Sequence, residues 1–389
     1  MKKKKILIAG AFYEFGGREL MTSFISKSLD TDYDVDIFSI NSFTNNSKVL
    51  HKDFKGKVFF LNQLIYKKNI LIRFFTFLLK IRSFFRKQDV KTSDLINNKL
   101  NKYFFDFDQL TSSVVSRLIK NYDLVIINSE IYLKVSKKII DSCKKSNVKI
   151  IFRTTGTIQD VDNTILDYLK NVDFFIHHSE SNANSLSLKL QHRYVVIDQC
   201  AFNENRLLDI PILNQKPLVF GFLGRLHVEK GIVELIDLIK KTNEKLIIAG
   251  EGELEELVLK LIERYPQFKY IGSIENSEND HFFKQIDVMI ISSFHEAGPL
   301  VAIEAMAAGK IIISTDVGAM KSRLEELESF WFKIDELTSL IKNINCLNKL
   351  STLELNNISM SYRDKYLQNH RVDSIKEKYV SLISLLLDK

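Results

Sequence analysis

The chain has 389 residues, 45% of them hydrophobic and only four of them proline, a composition that supports full apolar cores and excludes a disordered or low-complexity protein. Its three cysteines, Cys143, Cys200 and Cys346, lie far apart without metal-ligand spacing, which argues against a disulfide framework and for a reducing compartment. The net charge of +7 is unevenly shared: residues 1–200 carry 32 Lys+Arg against 20 Asp+Glu, and residues 201–389 carry 23 against 28, so the first half is expected to face something anionic, a membrane surface or a nucleic acid.

The length predicts two domains. The basic start Met1–Lys5 leads into the short apolar run Ile6–Ala9 and a glycine turn, which reads as a first strand rather than a signal peptide. No stretch reaches the ~20 uncharged apolar residues of a membrane span. Candidate strands follow at Ile6–Gly10, Tyr33–Ser39, Leu124–Asn128, Lys149–Arg153, Phe174–His178 and Tyr194–Asp198. A second series lies at Leu218–Leu223, Lys245–Ala249, Phe268–Ile271, Val288–Ser292 and Lys310–Ser314. Most are short and apolar throughout, as buried parallel strands are, and helical patterns separate them. Two such series predict two doubly wound α/β domains: residues 1–200, a linker at 201–217 rich in Asn and Pro, and residues 218–369. The final segment, 370–389, is expected to be an amphipathic helix that packs back on the first domain.

Residues 54–88 contain nine Lys/Arg, no acid, and many aromatics, among them Phe74, Phe75, Phe77, Phe84 and Phe85. A basic, Phe/Leu-rich helix suits the plane of an anionic bilayer. An ordinary helix with a solvated basic face would show the same composition. A nucleic-acid partner is not expected, because no RNA- or DNA-binding signature accompanies the segment.

Three loops carry candidate chemistry. Gly10-Ala-Phe-Tyr-Glu-Phe-Gly16-Gly17 follows the first strand, where bare backbone N–H groups and a helix N-terminus suit a phosphate, although a plain strand-to-helix turn looks similar. Gly221-Phe-Leu-Gly224-Arg225-Leu-His-Val-Glu229-Lys230-Gly231 opens the second domain. Arg225 and Lys230 there can neutralise a departing diphosphate, where a surface loop would merely be charged. The third, Glu296-Ala-Gly298-Pro299-Leu300 with Glu304 and Gly309 beyond it, sets two carboxylates around a helix start, suited to sugar or ribose hydroxyls.

Together these loops resemble the family-4 glycosyltransferases of the GT-B fold, of the kind found in bacterial surface-polysaccharide assembly. The resemblance spans essentially the whole chain and is strongest from Val219 to Glu326, through Gly224-Arg225-Leu-x-x-x-Lys230-Gly231, Leu246-Ile-Ile-Ala-Gly250-Glu-Gly252, Tyr270-Ile-Gly-Ser273, Glu296-x7-Glu304-Ala-Met-Ala-Ala-Gly309 and Thr315-Asp-Val-Gly318. It implies two Rossmann-like domains facing a central cleft, and a retaining transfer of sugar from a nucleotide donor. The donor would be a UDP-sugar, with a GDP-sugar as the alternative, and neither metal nor cofactor would be needed. It implies Arg225 and Lys230 on the diphosphate, Glu296 on the donor sugar and Glu304 on the ribose. Gly224, Gly250, Gly298, Pro299 and Leu300 would line the donor, Ile274 would pass the base, and Gly16 and Gly17 would approach the phosphates. The implied acceptor is a glycan or lipid-linked hydroxyl at the cytoplasmic face of the cell membrane, reached through residues 54–88.

Two positions depart from the family pattern. Many relatives carry a histidine where Phe152-Arg153-Thr154 stands, and Arg153 is a candidate for an acceptor or phosphate contact instead. The usual Pro-Asn-Gly-Val-Asp turn is replaced by Asp198-Gln-Cys-Ala-Phe-Asn203. A GT-B sugar-nucleotide epimerase and an inactive nucleotide-sugar-binding subunit are the alternative readings.

Overall fold

The computed structural model describes residues 3–85, 95–96 and 99–387 in two compact units. The first comprises Met1–His177, Ala183–Val196 and Tyr379–Lys389, and the second His178–Asn182 and Ile197–Lys378. In the first, β1 (Lys5–Gly10), β2 (Asp34–Ser39), β3 (Val58–Phe60), β4 (Leu124–Ser129), β5 (Lys149–Thr154), β6 (Phe174–His177) and β7 (Tyr194–Val196) form one parallel sheet. Its order is β3-β2-β1-β4-β5-β6-β7. In the second, β8 (Val219–Leu223), β9 (Lys245–Ala249), β10 (Phe268–Tyr270), β11 (Val288–Ile291), β12 (Ile311–Ser314) and β13 (Phe330–Trp331) form a parallel sheet ordered β10-β9-β8-β11-β12-β13. Both are doubly wound, and in each the order reverses beside the first strand, between β1 and β4 and between β8 and β11. That reversal is where such sheets open a crevice at their carboxyl ends.

The apolar runs become strands because helices cover both sheet faces. All six residues of β4 are buried, and Ile6, Leu7 and Ile8 of β1 are fully enclosed. Each such aliphatic side chain contributes ~1.5–3 kcal/mol by leaving water. All eleven strands read from the sequence are present within a residue or two of their ends. The sequence reading missed β3 and β13, of three and two residues, which close one edge of each sheet. Strands that short carry no usable alternation.

The expected linker at 201–217 is corrected by the structure. Residues Glu204–Leu208 form a helix, and Ala201, Leu207 and Ile210 are buried in the second core. The Asn214 side chain donates to Asn356 Oδ1 and Ser359 Oγ at 3.0 and 2.9 Å, so its polar group binds a helix rather than water. The asparagines and prolines read as linker punctuation instead bend the chain around its own core. The second unit accordingly begins at Ile197, with His178–Asn182 also clustering in it.

The last helix runs Val372–Leu387, with Ile375, Tyr379, Leu382, Ile383 and Leu386 all buried. Its residues from Tyr379 onward cluster with the first unit, where Lys4 Nζ and Lys149 Nζ donate to the Leu387 and Leu386 carbonyls. The basic aromatic segment yields the helix Ile70–Phe85. Ile72 and Thr76 face inward, and Phe75 stacks on Phe104 at 5.7 Å. Ile70, Leu71, Phe74, Phe77, Leu78, Ile81 and Phe85 are exposed. Arg86 and Lys87, counted with this segment, lie outside the described residues. No helix among the described residues is long and apolar enough to cross a membrane.

Candidate active site

In the first unit the Gly10–Gly17 loop leaves β1 and starts the helix Gly17–Leu29. Gly16 caps that helix at φ 149°, in the region that favours glycine, and a Cβ there would fall 2.5 Å from Glu19 Oε2. Glu19 is buried and its Oε1 accepts the Tyr13 N–H at 3.0 Å, which fastens the loop to the helix it precedes. Gly16 and Gly17 are left exposed, with nothing within 4 Å of a Cβ at Gly17. Bare N–H groups are thus presented at a helix N-terminus.

Arg153 is placed differently from its expected role as an acceptor or phosphate contact. It is 2% exposed. Its Nε donates to Tyr379 Oη at 2.8 Å and its Nη1 to Asn128 Oδ1 at 3.0 Å. The guanidinium is turned into the interior of the first unit, where it ties β4 and β5 to the last helix. A group so enclosed serves the fold before it can serve a ligand.

The second unit gathers most of the remaining candidates. Because β8 and β11 are neighbours, the loop after each lies beside the other. Gly231, at φ 61°, lets them touch: a Cβ there would sit 2.1 Å from the Ser292 carbonyl oxygen. Ser292 Oγ donates to the Lys230 carbonyl at 2.8 Å, and the Phe294 N–H to the Glu229 carbonyl at 2.9 Å. This lacing sets Lys230 Nζ directly against Glu296 Oε1, joining residues 66 positions apart. Ser293 Oγ also donates to Glu296 Oε1, at 3.4 Å. Burial, with help from Arg225 and against Glu229, pulls the Lys230 ammonium down to about 8. Arg225 is more exposed, its Nη2 3.5 Å from Glu229 Oε2.

Gly224 and Gly250 lie where two loops approach closely. A Cβ at Gly250, whose φ is 134°, would fall 1.8 Å from the Gly224 carbonyl oxygen, so the loops after β8 and β9 meet backbone to backbone. Pro299 caps the helix Leu300–Ala307, one position earlier than the first turn expected for it. Gly298 lies in the loop before it, partly exposed. Glu304 sits inside that helix, 3% exposed, its Oε1 accepting from Asn276 Nδ2 at 2.7 Å. Burial pushes its carboxyl up to about 7, against the opposing hydrogen bond from Asn276. Ile274 packs partly buried on the same core, two residues before Asn276.

Lys230, Glu296 and the Leu300 helix start are therefore brought together, and Glu304, Asn276 and Ile274 form an adjoining group. Sequence reasoning missed Asn276 and Ser293. Neither belongs to a recognisable spacing: Asn276 reaches Glu304 from beyond β10, 28 positions earlier, and Ser293 reaches Glu296 from three residues away on the same loop.

Residues 205–359, wholly within the second unit, match the family model described as "Glycosyl transferases group 1". An uncharacterized 42.6 kDa protein in the cps region of Klebsiella pneumoniae is 24% identical over 391 residues, covering 95% of this chain and 96% of that protein. The N,N'-diacetylbacillosaminyl-diphospho-undecaprenol alpha-1,3-N-acetylgalactosaminyltransferase of Campylobacter jejuni is 22% identical over 228 residues, 54% of this chain and 59% of that one. Among solved structures, Anabaena HepE in complex with UDP-glucose superposes with a TM-score of 0.70 at 17% identity, over 98% of this chain and 99% of that chain. The fold is GT-B, with two Rossmann-like doubly wound units, and the family match supports glycosyl transfer as the chemistry.

Proposed function

We propose that the protein is a retaining, metal-independent glycosyltransferase that moves a sugar from a nucleoside-diphosphate donor to a hydroxyl of a lipid-linked or surface-glycan acceptor. The observation that carries this reading is the pairing of Lys230 with Glu296 at the β8–β11 reversal, with buried Glu304 in the helix that follows. A cation and a carboxylate facing each other at a crevice suit a ligand that offers both an anion and hydroxyls. A nucleotide sugar does so: its diphosphate takes Lys230 and Arg225, its sugar hydroxyls take Glu296, and its ribose hydroxyls take Glu304. The N–H groups near Gly298 and Leu300 suit further phosphate oxygens.

In the reaction the bond between the anomeric carbon and the β-phosphate oxygen breaks. Negative charge builds on that oxygen, and the two cations stabilise it in place of a metal ion. The acceptor oxygen bonds to the same face of the sugar, and its proton passes to the departing phosphate. A uridine donor is favoured by the UDP-glucose bound to the HepE neighbour, and a surface-polysaccharide setting by the cps-region relative. The undecaprenol-linked substrate named for the Campylobacter relative supports a lipid-linked acceptor. So does the Ile70–Phe85 helix, whose outward apolar residues alternate with exposed Arg73, Lys80 and Arg82. That surface fits the cytoplasmic face of an anionic membrane.

The test is a screen of UDP- and GDP-sugars for nucleoside-diphosphate release, with and without a polyprenyl-diphosphate-linked glycan. Release that requires the acceptor, with the anomeric configuration kept in the product by NMR, is expected. An inverted product would remove the retaining mechanism, and no release from any donor would remove the enzyme.

A further inference from the structure

Behind the Glu296–Pro299 loop lies a buried ion pair for which the mechanism above has no use. Arg323 is 2% exposed and closes a fork on Asp198, Nε to Oδ2 at 2.9 Å and Nη2 to Oδ1 at 2.7 Å. Its remaining nitrogen, Nη1, donates to the Pro299 carbonyl at 2.6 Å, and Nη2 also reaches Gln199 Oε1 at 3.2 Å. Burial alone would raise the Asp198 carboxyl, but Arg323, aided by His370 and His178, outweighs it and holds the group at about 2. The pair is ionised and fully committed.

The loop in front of it is fastened at successive residues. The Ala297 carbonyl accepts from His178 Nε2 at 2.8 Å and from the Ala319 N–H at 2.9 Å. Gly318, at φ 52°, approaches so closely that a Cβ would lie 2.2 Å from the Ala297 oxygen and 2.3 Å from that of Glu296. A Cβ at Gly298 would meet Arg323 Nη2 at 2.8 Å and His178 Cδ2 at 3.0 Å. Two desolvated charges cost several kcal/mol unless geometry and further hydrogen bonds offset it. Packing here could have been met by apolar side chains. What apolar side chains cannot supply is the bond to the Pro299 carbonyl, which sets the height of the loop and of the helix beginning at Leu300.

We infer that Arg323, aimed by Asp198, is a positioning residue that holds Glu296 and the Leu300 helix start at the height the donor sugar requires. This rests on the glycosyl-transfer reading. Neither residue touches substrate, so their loss should slow the sugar-transfer step more than it weakens the nucleotide.

The experiment compares the full-length parent with Arg323→Met, Asp198→Asn and the double variant Asp198→Leu/Arg323→Met. The ~1 Å freedom gained by the loop should lower kcat on the order of 10- to 100-fold. The Kd for the nucleoside diphosphate, by calorimetry, should change far less than kcat, since Lys230 and Arg225 lie outside the braced loop and only the amides near Gly298 and Leu300 depend on it. Breaking one partner strands a buried charge and destabilises the protein. The double variant leaves none, so its melting temperature should return toward the parent's while its kcat stays low. Arg323→Lys keeps the charge without the fork and should recover only part of the rate. A folded double variant with the parent's kcat overturns the inference, as does a nucleoside-diphosphate affinity that falls as far as kcat. If the parent transfers no sugar from any donor, the enzymatic reading is what fails. The brace is then judged by amide hydrogen exchange at residues 296–300: faster exchange in the double variant supports it, and parent-like exchange refutes it.

Discussion

The two shifted groups of the second unit predict a narrow pH profile. In the proposed reaction Glu304 is ionised to accept from the ribose hydroxyls, and burial pushes its carboxyl up to about 7. In the same proposal Lys230 is protonated to meet the diphosphate, and burial with Arg225 pulls it down to about 8. The Glu304 charge is lost on the acid side and the Lys230 charge on the alkaline side, so kcat/KM, which reports the free enzyme, should peak between the two and fall about tenfold per pH unit beyond each limb. In kcat both limbs should move outward, because the bound diphosphate favours charged Lys230 and the ribose hydroxyls favour ionised Glu304. Steady-state rates of nucleoside-diphosphate release from pH 5.5 to 9.5 read this directly. Glu304→Gln should lose the acid limb, at a lower plateau, and Lys230→Arg should lose the alkaline limb. A flat parent profile, or an acid limb that survives in Glu304→Gln, refutes the assignment.

The same shift makes Glu304 a cost to the fold. Its carboxyl rises from 4.5 to about 7 on folding, so the stability that its neutral form contributes is complete below pH 4.5 and lost as pH rises through 7. Thermal melts of Glu304→Gln should therefore gain on the parent at pH 8 relative to pH 4.5, and an equal difference at both would show no coupling. Lys230→Ala should lower turnover ~100-fold or more, as loss of a preorganised charge does, and near-parent turnover in a folded variant would make Lys230 a surface charge. Transfer should persist in excess EDTA if Arg225 and Lys230 supply the charge as proposed. Loss of activity restored by magnesium or manganese would contradict this. Sedimentation with anionic vesicles should weaken partly with salt, because each Lys or Arg near the surface contributes ~1 kcal/mol while inserted aromatics are salt-insensitive. Arg73, Lys80 and Arg82 to Gln should reduce it further. Unchanged binding of that variant would leave the Ile70–Phe85 helix a purely structural element.

The chain by itself determined its fold class and the composition of its site. Apolar runs of four to six residues, alternating with helical patterns, can be buried only as parallel strands covered on both faces, so all eleven could be read without a structure. The glycines were legible for a related reason: Gly231 and Gly250 stand where a Cβ would collide with a facing backbone, and few residue types can replace them. What the sequence could not carry was anything set by strand order. β8 pairs with β11 across two intervening strands, and that pairing sets Lys230 against Glu296, while Arg323, beyond β12, meets Asp198 across 125 positions. The charge on Arg153 looked like a ligand contact until the last helix enclosed it, and the prolines of 201–217 looked like a linker until their neighbours proved to be core. Local pattern records what a residue is and which period it obeys. Burial, pKa and partner are properties of the space around it, and the tertiary structure alone decides them.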